Sequence, residues 1–244
     1  MRRSRGKRSV PTTQYAAGVW SMNEAYEARL DDIWPFPGPP VAGYIGWYTG
    51  DSWTGSQWQD LSSNNNHATT VTGTITKADV TGNGATETFP AIYGGTTAGI
   101  RFPSAILPST FTLFHVARYN GANKKRIFDG LTSNWLSGFW SGNAGTAYHD
   151  GWITASNANH HGTNWVISTD QNSLYRSKST SANSGNYYQN TGGGGTSKQL
   201  TINYGHYTGE LSDWMVAEVI VYNSTLSSAD YNLVESYLEN KYGI

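Results

Sequence analysis

Residues 214–244 limit what this chain can become more than any other stretch. On a period-2 strand, Met215, Ala217, Val219 and Val221 fall on one face and Val216, Glu218, Ile220 and Tyr222 on the other, and both faces are mostly apolar. A strand that is apolar on both faces must be covered on both sides, so the reading expects the preceding residues to supply two sheets around it. Asn223 and Ser224 then turn the chain. Ser227 with Asp230 resembles a capping box, and Tyr231, Val234, Tyr237, Leu238 and Tyr242 repeat at helical spacing until Gly243. A capped helix over 227–242 is therefore expected to close the domain.

The rest of the chain reads as short strands. Apolar and alternating runs lie at 41–48, 58–61, 68–76, 111–119, 126–130, 164–169 and 200–204, separated by Gly- and Asn-rich turns. In the 111–119 run, Phe111, Leu113, His115 and Ala117 share one face, and Thr112, Phe114, Val116 and Arg118 share the other. A length of 244 residues with 28 Gly and 14% aromatic residues suits one large all-β domain, residues 41–244, which is large enough to bury a full core. No internal repeat supports a propeller or fibre shaft. Cysteine is absent, so the fold needs no disulfide and its redox compartment stays open.

Residues 1–40 read as a separate arm. Arg2, Arg3, Arg5, Lys7 and Arg8 are five of the 16 basic residues, and removing them from a net charge of −1 leaves −6, a basic arm on an acidic body. No apolar run follows the cluster, which argues against a secretory signal or membrane span. Ser21 and Glu24 open a short helical pattern. Trp20 and Trp34 add apolar anchors, and Pro35, Pro37, Pro39 and Pro40 impose an extended spacer. Five charges would give nucleic acid only salt-sensitive, non-specific affinity, so an acidic protein surface is the expected partner.

Residues 134–152 and 157–165 read as loop-rich, and they gather aromatic, His and Asn residues. Trp135, Trp140, His149, His160 and His161 are the glycan-binding candidates, because an aromatic face stacks on a sugar ring while short polar groups take its hydroxyls. Trp152 and Trp165 sit in strand-like contexts and are assigned to packing. Residues 179–198, with Gly192 to Gly195, read as a loop without the Lys-Ser/Thr ending of a phosphate cradle.

Catalytic signals are weak. Glu210 and Asp213 flank a turn, Glu218 stands alone on a buried strand as a hydrogen-bonded structural acid, and no closely spaced acid pair, metalloprotease or nucleophile-elbow motif is present. No cofactor is expected. A structural calcium ion near Asp129, Asp150 or Asp170 is compatible with the residue types, and no spacing identifies its site.

The string AEVIVYNSTLSSADYNLVESYLENKYGI resembles the C-terminal signature of concanavalin A-like, laminin-G-like jelly-roll domains, and WQDLSSNNNHAT resembles their first strand and turn. The resemblance implies an all-β, two-sheet antiparallel jelly-roll sandwich with a C-terminal helix. GVWSMNEAYEARLDDIWP resembles a segment near the start of structural proteins of tailed bacteriophages and other viruses of aquatic hosts. Together they imply a non-enzymatic virion protein, a capsid decoration or fibre component. Its arm would bind capsid or tail proteins, in many copies or as a homo-oligomer, while the jelly roll at the virion surface meets host glycans. A free lectin and a glycan-degrading enzyme are the alternatives.

Overall fold

The computed structural model describes residues 38–104, 106–157, 160–180, 187–192 and 198–244, with no side-chain placement for His161. Arg2, Arg3, Arg5, Lys7, Arg8, Trp20 and Trp34 lie outside the described residues.

Two antiparallel sheets form a jelly-roll sandwich. The strands of the larger sheet are β1 (Tyr44–Thr49), β3 (Thr76–Gly82), β4 (Ala85–Gly94), β6 (Thr112–Tyr119), β11 (Val166–Gln171), β12 (Leu174–Lys178), β13 (Tyr188–Thr191) and β15 (Trp214–Tyr222). Their order is β13-β12-β11-β6-β15-β4-β3, and β1 also pairs with β15. The smaller sheet runs β10 (His160–His161), β9 (Asn143–His149), β8 (Trp135–Trp140), β7 (Phe128–Gly130), β14 (Leu200–Ile202), β5 (Gly99–Arg101), β2 (Thr70–Thr72). Helix α1 (Ser228–Tyr242) packs on the outer side of the larger sheet.

The closing strand is covered on both faces, though not by two sheets. One face meets the smaller sheet through Trp214, Val216, Val219 and Val221; the other meets α1 through Met215, Ala217, Ile220 and Tyr222. This corrects the expected alternation. Pairing of β15 with β6 shifts between Val216 and Glu218, so an extra residue enters and every side chain beyond it changes face. The β6 alternation is as read: Leu113 and Ala117 join the inter-sheet core, while Phe114 and Val116 join the core beneath the helix.

Ser227 caps α1 by accepting from the Asp230 N–H, and Gly243 ends it in the left-handed conformation with φ of 62°. Three acids clamp the helix to the sheet. Arg176 donates from Nε and Nη2 to Glu235 at 2.8 Å each, and Lys178 meets Glu239 at 2.7 Å. Buried Glu218 accepts from Trp47 Nε1 (2.6 Å), Tyr237 (3.2 Å), Lys241 (2.7 Å) and Tyr242 (2.5 Å), the satisfied structural acid that was expected.

Several boundaries move. Residues 58–61 make only isolated bridges through Trp58, and of the 68–76 run only Thr70–Thr72 pairs with β5. The stretch read as a loop at 134–152 is mostly the β8–β9 hairpin, turned at Ser141 (φ 51°) and Gly142 (φ 86°). Two positive φ values define a type I′ turn, and Ser-Gly is a fainter sequence signal for it than Asn-Gly.

Candidate functional site

Alternation along β8 and β9 divides the candidates between the interior and the surface. Trp135, Ser137 and Phe139 point into the sandwich; Leu136 and Trp140 point out. Trp135 is fully buried and stacks on His149 at 5.2 Å, so it belongs to the core and cannot be a sugar platform. Trp165 is buried beneath Phe89, as expected.

Three histidines are interior as well and bridge the sheets. His115 on β6 lies 3.1 Å from Ser137 on β8, and His160 on β10 lies 3.1 Å from Ser177 on β12. His149 on β9 stands 3.1 and 3.2 Å from the two carboxylate oxygens of Asp170 on β11. Glycines make room for two of the rings. A Cβ at Gly138 would lie 2.5 Å from His115, and one at Gly145 would lie 2.7 Å from His160. Burial pushes the His115 pKa down to about 3. His149 and His160 are therefore corrected from glycan contacts to inter-sheet bridges, because the pleat turns them inward. The backbone of His161 pairs with Asn143 on β9.

The outer face of the smaller sheet carries the aromatic surface. Register sets one lateral row across it: Thr70, Arg101, Thr201, Asp129, Leu136, Tyr148, Trp152. Trp152, read from sequence as packing, is 41% exposed. The Trp140 ring meets it edge-on at 5.3 Å and 69°, and the Tyr148 ring at 5.1 Å and 79°. These two contacts fix the indole plane and leave much of it in solvent. The turn ahead of Trp152 is itself held. His149 N–H donates to Gly151 O, Asp150 N–H donates to Asn134 O, and Lys198 Nζ meets Asp150 Oδ2 at 2.6 Å. The sequence signal for Trp152 was present in the Asp150-Gly151 turn before it, which folds the chain back beside β9 on the same face as Tyr148.

Among the described residues, no three His, Asp or Glu side chains gather as a metal centre would require. The three acids considered for calcium meet protein partners instead: Asp129 accepts from Thr201 Oγ1 at 2.6 Å, Asp150 pairs with Lys198, and Asp170 with His149. Burial is the largest effect on Asp129 and pushes its pKa up to about 7. No helix among the described residues is long and apolar enough to cross a membrane.

A scan against protein-family models matches none, and a search of curated proteins finds no match. Among solved structures, domain 4 of AbnA, an extracellular GH43 arabinanase from Geobacillus stearothermophilus in complex with arabinotriose, is similar with a TM-score of 0.51 and 14% identity, over 79% of this chain and 97% of that one. A mutant Trypanosoma rangeli sialidase with trans-sialidase activity gives a TM-score of 0.48 and 17% identity over 84% of this chain; the match spans 34% of the sialidase. The binding domain of botulinum neurotoxin DC, in complex with SialylT, gives 0.45 and 13%, over 80% of this chain and 52% of that one. At these identities the likeness is one of fold.

Proposed function

We propose that the sandwich is a non-enzymatic glycan-binding module. The observation that carries this reading is the three-ring surface on the smaller sheet, where Trp140 and Tyr148 hold Trp152 with 41% of its surface exposed. An indole fixed in plane and open on one side can stack on the apolar face of a pyranose or furanose, and its rotamer cost is already met by its neighbours. The arabinanase domain of similar fold was solved with arabinotriose, which agrees with this use of the architecture. The virion role is the second part of the proposal. It rests on the basic arm, on Trp20 and Trp34, and on the resemblance of the segment from Gly18 to Pro35 to phage structural proteins.

The test is a printed glycan array followed by titration of the best ligand against Trp152→Ala, Trp140→Ala and Trp135→Ala. Trp152→Ala is expected to abolish binding while changing stability by no more than about 0.5 kcal/mol, as for surface changes. Trp135→Ala is expected to cost about 3–5 kcal/mol, as large-to-small core changes do. Unaltered binding by Trp152→Ala would remove the proposal.

A further inference from the structure

Three of the four strands that end the two sheets are short: β10 has two residues, β2 three and β13 four. Short edges offer little to a foreign strand. The outer side of β1 is occupied too, since Leu61 N–H donates to Trp47 O and Asn66 Nδ2 donates to Ile45 O. Strand β3 is different. It closes the larger sheet with seven residues, and no described strand lies beyond it.

The phase of β3 follows from its partner. Asp79 opposes Pro90, which has no N–H, so the two form a pair without mutual backbone hydrogen bonds. Alternation then turns the N–H and C=O groups of Lys77 and Asp79 away from β4, to the open edge, and those of Ala78 inward to Ala91. The side chains alternate as well. Val80 packs on the core beneath α1, and Ala78 shares its face, whereas Lys77 and Asp79 are exposed on the other face. Lys77 meets Asp51 only at 4.0 Å, with both side chains exposed, and Asp79 has no ion-pair partner among the described residues.

We infer that β3 is a dimer interface, where it pairs antiparallel with β3 of a second copy across a two-fold axis at Ala78 and joins the two larger sheets into one. Charge sets the register. Residues with outward backbone groups must oppose one another for the new ladder to form, which leaves few self-pairings. With the axis at Lys77 or at Asp79, that residue meets its own like charge. An axis at Val80 draws the bulge between Val80 and Gly82 into the ladder. With the axis at Ala78, each Lys77 opposes Asp79 of the partner subunit, so symmetry forms the opposite-charge pair twice, and the small Ala78 side chain sits on the axis. The pairing holds whether or not Trp152 takes a sugar, and it sets two of the three-ring surfaces in one assembly.

Sedimentation velocity of the full chain across a concentration series, combined with residue-resolved hydrogen exchange, tests the interface. Wild type is expected to be a dimer in which the Lys77 and Asp79 amides gain protection as concentration rises, whereas the Ala78 and Val80 amides are protected throughout. Lys77→Asp and Asp79→Lys each set like charges opposite one another twice, and each is expected to weaken the dimer about tenfold or more with folding retained by circular dichroism. The double variant Lys77→Asp/Asp79→Lys restores opposite charges and is expected to recover the dimer. A monomeric wild type, wild-type affinity in both single variants, or a dimer without protection at Lys77 and Asp79 would overturn the interface. Weakened single variants that the double exchange does not rescue would overturn the register.

Discussion

His115 places a titratable ring where no charge can be solvated. Folded, its pKa is pushed down to about 3 by burial, whereas an unfolded histidine titrates near 6.5. Protons therefore bind the unfolded chain first as pH falls. The contribution of this residue is intact above about pH 6.5 and is lost by about 1.4 kcal/mol for each unit below it, down to about pH 3. Urea unfolding at pH 7 and pH 5 should show His115→Gln losing about 2 kcal/mol less than wild type across that interval, since glutamine does not titrate. Equal losses in the two proteins would show that His115 does not drive the acid sensitivity. At the same scale, Trp135 and Trp152 have the same side chain and opposite roles, decided by which side of the pleat each occupies. Composition recorded both as aromatic residues in a Gly-rich stretch, and nothing in the identity of either residue distinguishes them.

At the scale of elements, α1 is the most legible part of the chain. Its cap, its apolar spacing and its terminal glycine are local signals, and a helix end is stabilised by groups a few residues away. Leu238 on this helix is fully buried against the larger sheet. Leu238→Ala is expected to cost about 2–5 kcal/mol, measured by chemical unfolding, whereas Ser227→Ala should cost about 1 kcal/mol through the lost cap. A loss at Leu238 no larger than that at the cap would mean that the helix is not docked there. Strands were less legible. The β15 bulge is invisible in a period-2 count because the extra residue exists only relative to the β6 partner. The β8–β9 hairpin was hidden by small residues and by a Ser-Gly turn, although Trp135 and Trp140 within it were singled out as candidates.

At the scale of the molecule, Val41–Ile244 contains both cores and the pairing that closes them; Tyr222 donates its hydroxyl to Val41 O at 2.8 Å. A chain beginning at Val41 should therefore unfold at the same Tm as the full chain and bind the same glycans. Under the virion proposal it should fail to join particles, and the full chain should leave them as salt shortens the screening length from about 10 Å at 0.1 M to about 3 Å at 1 M. Equal incorporation of the two chains would remove the anchoring role from Arg2, Arg3, Arg5, Lys7, Arg8, Trp20 and Trp34.

The amino-acid sequence by itself determined the all-β class, the covered closing strand, the capped helix and the structural role of Glu218, because each depends on periodicity or on neighbours within a turn. Tertiary structure alone decided the inter-sheet histidine bridges and the exposure of Trp152. Those contacts join residues from different strands and loops, and their register is set by pairing across the sheet, where a displacement of one residue exchanges core for surface.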